Sequence, residues 1–93
     1  MEEKFLAALE KARLEAASIG VRIRPIGDMT AAHRCLSGHR ESDGFWQLAD
    51  RKRLELSLEA LSVNKQFTGL FSDEEANNAL TRLMEAGYFL IGR

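Results

Sequence analysis

The residues most able to do chemistry lie close together before the middle of the chain. His33, Cys35 and His39 fall within seven residues, and Glu41 and Asp43 follow them. Imidazole, thiolate and carboxylate groups are the usual ligands of zinc, and a cysteine beside a histidine is also a common nucleophilic pair. This stretch is therefore the first candidate for a metal site or for thiol chemistry.

The spacing of these residues argues against both kinds of site. On a helix, the side chains of His33 and Cys35 would point about 200° apart. A nucleophilic thiol also needs oxyanion donors, and no glycine-rich turn adjoins Cys35 to supply them. Glycine-rich phosphate loops and dinucleotide fingerprints do not occur in the sequence. We therefore predict no catalytic residue, no metal site and no cofactor, with Cys35 as a small buried side chain.

The distribution of charge is more informative than its sum, which is −1 from 13 basic and 14 acidic residues. Residues 21 to 53 hold seven of the basic side chains: Arg22, Arg24, Arg34, Arg40, Arg51, Lys52 and Arg53. Together they could neutralise phosphates, which would make the chain a nucleic-acid-binding accessory or transcriptional regulator. The acidic run from Asp73 to Glu75 would repel a phosphate backbone, so we favour a solvated basic surface that pairs with the acidic C-terminal helix.

Large apolar side chains also occur in segments where polar residues are usual. Trp46 follows the polar stretch 39 to 44, and Phe67, Leu70 and Phe71 flank a glycine in a short connection. Such residues either fill a small core or form an exposed anchor for a partner. We favour the core, and we take these four residues as the candidate partner-binding residues if they are exposed.

The first half of the chain predicts two helices around a short strand. Phe5, Leu9, Ala12, Ala16 and Ile19 form one apolar stripe on a helix over Glu2–Ser18, which Gly20 ends. The stripe predicts docking either on the same domain or on a second copy. Residues 21 to 24 alternate apolar and basic, as an edge strand does, and Pro25 ends them. Asp28 or Thr30 then caps a helix through Leu36, closed by Gly38.

The second half predicts two more helices. The first begins at Ser42 or Asp43 and runs to Gln66 with two apolar lines, although residues 54 to 59 also alternate as a strand would. The second begins with the capping box of Ser72 and Glu75 and ends at Gly87. Residues 88 to 91 are then a short apolar strand candidate.

These elements predict a mainly α fold of about four helices in a small single-core bundle, one domain over residues 1 to 93. A two-stranded ribbon of residues 21 to 24 and 88 to 91 would make the class α+β. The N-terminus lacks an export signal, the longest apolar run is too short to cross a membrane, and the single cysteine suits a reducing compartment. We therefore expect a small cytoplasmic interaction or regulatory module with a protein partner or a homodimer, and with no membrane contact.

Overall fold

The helices of this protein account for most of the chain. The computed structural model describes residues 2 to 38, 40 to 67 and 69 to 88. Within those ranges the α-helices are α1 (Glu2–Ser18), α2 (Met29–Ser37), α3 (Phe45–Asp50), α4 (Leu58–Ser62) and α5 (Asp73–Glu85). Short 3-10 turns, Leu54–Leu56 and Lys65–Phe67, precede and follow α4. The predicted mainly α class is confirmed.

Helix α1 has the predicted bounds, and its apolar stripe is covered by the rest of the same chain. The buried members are Phe5, Leu9, Ala12 and Ala16. Gly20 adopts a positive φ of 89° at the end of the helix, and the amide of Val21 turns back to the Ala16 carbonyl at 2.9 Å. Four of the five stripe residues are therefore buried within the chain itself, and Ile19 is half-buried.

The caps of α2 and α5 lie where the sequence places them. Asp28 accepts a hydrogen bond from the amide of Ala31 at 2.8 Å and so begins α2. At the start of α5, Ser72 and Glu75 exchange side-chain to backbone hydrogen bonds in the predicted capping box. Each cap satisfies amides that the first turn of a helix leaves without an intrahelical partner.

The single helix predicted from Ser42 or Asp43 to Gln66 is wrong, because the chain turns at Lys52. Lys52 has a φ of 59°, in the left-handed region, and its amide donates to the Ala49 carbonyl at 3.1 Å. The amide of Arg53 donates to the Leu48 carbonyl at 2.8 Å. These two bonds form the Schellman motif that closes a helix, with a lysine in the position that usually holds glycine.

The strand alternative for residues 54 to 59 is also wrong. Leu54–Leu56 is a 3-10 turn, and the Ser57 hydroxyl accepts from the amide of Ala60 to begin α4. Leu54, Leu56 and Leu58 are all buried. The alternating pattern therefore arises because the 3-10 turn buries Leu54 and Leu56 and the first residue of α4 buries Leu58.

Residues 21 to 24 do not form the predicted strand. Residues 21 to 27 have no regular secondary structure, although burial still alternates from Val21 to Arg24. The second half of the predicted ribbon, residues 89 to 91, lies outside the described residues, and Tyr88 is half-buried.

Two neighbouring clusters of buried residues together make up the core of the described chain. One cluster contains residues from the C-terminal half of α1, from α3, from the 3-10 turn Leu54–Leu56 and from α5. Its members are Ala12, Ala16, Val21, Phe45, Leu48, Leu54, Leu56 and Leu83. The other joins the N-terminal half of α1 to α2, α4 and α5: Phe5, Leu9, Ala32, Leu36, Leu58, Phe67 and Ala79. Leu61 and Val63 pack against both clusters and connect them.

Candidate binding site

A buried ion pair organises the polar side of the fold. Glu59 of α4 is 0% exposed and Arg82 of α5 is 6% exposed, and Glu59 Oε2 lies 3.0 Å from Arg82 Nη1. Ser42 completes the carboxylate's contacts, because its amide donates to Oε2 at 2.8 Å and its hydroxyl donates to Oε1 at 2.5 Å. Buried charges of this kind are tolerated only when they are paired and hydrogen-bonded in this way.

Arg82 also closes the end of α2. Its Nη2 donates to the carbonyls of Gly38 at 2.8 Å, Cys35 at 3.3 Å and Leu36 at 3.4 Å. The last carbonyls of a helix lack intrahelical donors and carry partial negative charge, so a cation from another helix stabilises them. Among the described residues, no buried side-chain nitrogen or oxygen lacks a hydrogen-bond partner.

The same network holds the loop before α3 against the segment after α1. Ser42 is fixed by Glu59, and its neighbour Asp43 accepts a hydrogen bond from the amide of Arg24 at 2.8 Å through Oδ2. Residues 42 and 43 therefore lie beside residues 23 to 26, and both segments border one site.

An apolar cavity of about 340 Å³ is lined by residues of both segments. Aliphatic side chains from four parts of the chain line it: Leu9, Ile23, Ile26, Ala31, Leu56 and Leu58. Polar groups complete the lining: Glu10, Arg13, Arg24, Cys35, Ser42 and Asp43. Because Glu10, Arg24 and Asp43 are themselves exposed, the cavity opens to the protein surface.

A second depression adjoins the cavity and is more basic. It is lined by Arg13, Ala17, Gly20, Arg22 and Ile23, so it shares Arg13 and Ile23 with the first. The guanidinium of Arg51 also lies against Gly20, 3.4 Å from where a β-carbon would stand.

The cations of this surface differ in their partners. Arg13 forms a two-bond pair with Glu10 on the same helix face. Arg22 and Arg24 are exposed and make no ion pair with any residue that the structure describes. We call the cavity together with Arg22 and Arg24 the apolar-arginine site.

The residues first considered for zinc or thiol chemistry have separate surroundings. His33 Nδ1 hydrogen-bonds Glu75 at 2.8 Å, and its ring lies 5.0 Å from that of Phe71. Cys35 instead lines the apolar cavity, where burial first and the charge of Glu59 second raise the pKa of its thiol. A raised pKa keeps the thiol protonated and a weak nucleophile.

Metal ligands do not converge in the part of the chain outside positions 1, 39, 68 and 89 to 93. There, no group of three His, Cys, Asp or Glu side chains is placed to hold an ion. His39, one of the first candidates, lies outside the described residues.

The four candidate partner-binding residues divide into two places. Phe67 is buried, with its ring edge-to-face with Phe5 at 5.0 Å, and half-buried Leu70 and Phe71 pack against the same core cluster. Trp46 is 48% exposed on α3 and packs edge-to-face on Phe45 at 5.3 Å.

The seven basic residues are distributed in a similar way. Arg53 is ion-paired with Glu15 at 3.0 Å and with Glu55 at 2.6 Å, and both partners lie outside the C-terminal helix α5 that was predicted to pair with this surface. Arg34, Arg40 and Lys52 are exposed and, like Arg22 and Arg24, make no ion pair with a described residue.

Four residues of this site were already candidates from the sequence, but for other functions. Cys35 and Asp43 were considered for metal or thiol chemistry, and Arg22 and Arg24 for binding phosphates. Nothing in the sequence indicated the cavity, whose aliphatic walls come from four separate segments. The burial of Glu59 could have been suspected from the sequence, because it is an acidic residue among the apolar positions of the stretch 58 to 63.

Comparison of the chain with protein-family models, with curated proteins and with solved structures gave no match. None of the helices in the described ranges has the length and apolar character needed to cross a bilayer.

Proposed function

We propose that this chain is a protein-interaction module without catalytic activity, which binds an acidic, aliphatic segment of a partner protein in the apolar-arginine site. The observation that carries the proposal is an open cavity with aliphatic walls beside two arginines that lack ion-pair partners in the described chain. The single cysteine suits action in a reducing compartment such as the cytoplasm.

The charges around the site favour an acidic occupant. Arg13, Arg22 and Arg24 outnumber Glu10 and Asp43 along the two joined depressions, and Arg51 adds a further cation at their edge. Opposite charge on a partner would speed encounter and select against basic sequences. An aliphatic side chain of the partner would be buried in the cavity and supply most of the affinity.

A duplex nucleic acid is a weaker fit to this surface. A phosphate backbone carries no apolar group to occupy the cavity, and Arg53 of the basic set is already neutralised by Glu15 and Glu55. Nucleic-acid binding would use the seven basic residues without the cavity, so the two functions respond to different substitutions.

Selection from a random peptide library tests the proposal. We expect the wild-type chain to enrich peptides that combine aspartate or glutamate with leucine or isoleucine, with affinities that fluorescence anisotropy then measures. Ala31→Leu should weaken binding, because Ala31 lines the cavity and the larger side chain fills it. Ala7→Leu is the matched control, since Ala7 is exposed on α1 and does not line the cavity.

Arg24→Glu should also weaken binding and reduce its dependence on salt, because it reverses a charge beside the cavity. Failure to enrich peptides, or enrichment of basic ones, would contradict the proposal. Tight binding of a fatty acid that Ala31→Leu abolishes, with no selected peptide, would show that the occupant is a small molecule. Duplex DNA that displaces the selected peptide would favour the nucleic-acid alternative, and self-association that Ala31→Leu removes would identify a second copy as the occupant.

A further inference from the structure

The segment that borders the cavity has backbone groups without partners in the described chain. The amides of Arg22, Ile23 and Ile26 donate no hydrogen bond there, and no carbonyl from Gly20 to Gly27 accepts one. Helices, caps and turns satisfy most of the backbone elsewhere. A run of unpaired donors and acceptors is the property of a sheet edge, and such an edge can pair with another chain.

Side chains of this segment alternate as they do in a strand. Val21 is 1% exposed and Ile23 is half-buried in the cavity wall, whereas Arg22 and Arg24 are exposed. The alternating burial expected of an edge strand is therefore present, although the described residues form no strand here. Pro25 has no amide to donate and would end any ladder formed there.

A backbone amide of this edge already donates a hydrogen bond to a carboxylate, that of Asp43. Its carboxylate takes the hydrogen bond of the Arg24 amide at 2.8 Å, which is the bond that a carbonyl of a neighbouring strand would otherwise accept. Asp43 is exposed on the loop beside the segment and also lines the cavity, so one carboxylate already occupies part of the edge.

We infer that the partner's segment binds by β-strand addition to residues 21 to 24. This inference rests on the proposed function and specifies its geometry. Backbone hydrogen bonds to Arg22 and its neighbours would hold the added strand, and every second side chain would face the cavity wall at Ile23. The intervening side chains would lie near Arg22 and Arg24, which explains why the occupant should alternate aliphatic and acidic residues.

A scan of backbone methylation in the bound peptide tests this geometry. Each amide of the highest-affinity selected peptide is replaced in turn by its N-methyl form, which removes one donor and leaves the side chain unchanged. We expect a loss of about fivefold to tenfold at alternate positions and little effect at the positions between them, because only every second residue faces the partner strand. Matched N-methylation of a residue outside the bound core serves as the control.

Hydrogen exchange of the full chain provides the second readout. The amide of Arg22 should exchange more slowly in the complex, whereas the amide of Ile23, which points to the opposite edge of an extended segment, and those of exposed residues on α3 should not change. A peptide that binds with no alternating pattern and with an unprotected Arg22 amide would overturn strand addition while leaving the proposed function standing. The absence of any selected peptide would overturn both, so the two failures are distinguishable.

Discussion

The carboxylate of Glu59 and the guanidinium of Arg82 lie 3.0 Å apart in the interior, and each also holds a part of the structure that borders the candidate site. Glu59 fixes Ser42, which precedes the Asp43 that binds the Arg24 amide. Arg82 fixes the last carbonyls of α2, the helix that supplies Cys35 to the cavity. The shape of the apolar-arginine site therefore depends on a pair that is not itself in the cavity lining.

Removing one member of this pair should be costly. Arg82→Met leaves the carboxylate of Glu59 buried without its cation, and we expect the free energy of unfolding to fall by about 3 to 5 kcal/mol. Urea denaturation measures the change. Arg34→Met is the control, because Arg34 is exposed on α2 without an ion pair in the described chain, and its cost should be within about 0.5 kcal/mol.

The double substitution Glu59→Gln with Arg82→Met separates pairing from packing. It should be more stable than Arg82→Met alone, because glutamine removes the uncompensated charge and keeps a hydrogen-bonding group for Ser42. If the double variant is less stable by the full sum of the two single changes, Glu59 and Arg82 do not interact as described. If Arg82→Met does not fold, the stability of Glu59→Gln with Arg82→Met still tests the pair.

Glu75 should make stability fall in acid. Burial alone raises the pKa of this carboxyl, but hydrogen bonds from the Ser72 amide and from His33 together outweigh burial, so its pKa lies below the ordinary 4.5. A lowered folded pKa gives stability that is present above the unfolded pKa and is lost as the pH falls through the folded pKa. Glu75→Gln keeps the capping box and should flatten this loss, as urea denaturation between about pH 3 and 7 would measure.

The control for this titration is Glu74→Gln, since Glu74 is exposed and makes no side-chain hydrogen bond with a described residue. Its stability curve should parallel that of the wild type. Equal acid sensitivity in the wild type and in Glu75→Gln would contradict the role assigned to Glu75.

Replacing Gly44 by alanine should destabilise the protein more than the same replacement at Gly87, which has nearly the same φ. Gly44 and Gly87 have φ values of 78° and 77°. A β-carbon at Gly44 would stand 2.8 Å from Ile23 Cγ1, whereas one at Gly87 would have no atom of a described residue within 4 Å. We expect Gly87→Ala to cost about 1 kcal/mol from backbone strain and Gly44→Ala to cost distinctly more. Thermal unfolding measures both, and equal costs would show that Ile23 does not lie against Gly44.

The protein should become more stable when Lys52 is replaced by glycine. It holds a φ of 59° at the end of α3, where glycine is usual, so Lys52→Gly removes strain of about 1 to 2 kcal/mol and adds about 0.5 to 1 kcal/mol of backbone entropy cost. A net gain of about 0.5 to 1 kcal/mol should appear in urea denaturation. Arg51→Gly, at a φ of −92°, should lower stability, and a gain there would contradict the assignment of the strain to Lys52.

The elements that could be predicted from the sequence are those specified by residues within or next to the element itself. Helices α1, α2 and α5 were predictable because apolar spacing and their capping or terminating residues lie within the helices and their adjoining residues. The end of α3 was not, because the left-handed position holds Lys52, a residue that gives no local sign of that conformation. The Glu59 and Arg82 pair joins positions 23 residues apart, and only the tertiary fold brings them together. The cavity likewise depends on packing, which no single segment specifies.

The most direct test of the apolar-arginine site is a measurement of which methyl groups the bound partner touches. In a complex of the full chain with the highest-affinity selected peptide, we predict intermolecular nuclear Overhauser effects between the peptide's aliphatic methyls and those of Ile23, Ile26 and Leu58, which line the cavity. Overhauser effects from the peptide to exposed Trp46 or Met84, with none to the cavity methyls, would contradict the account.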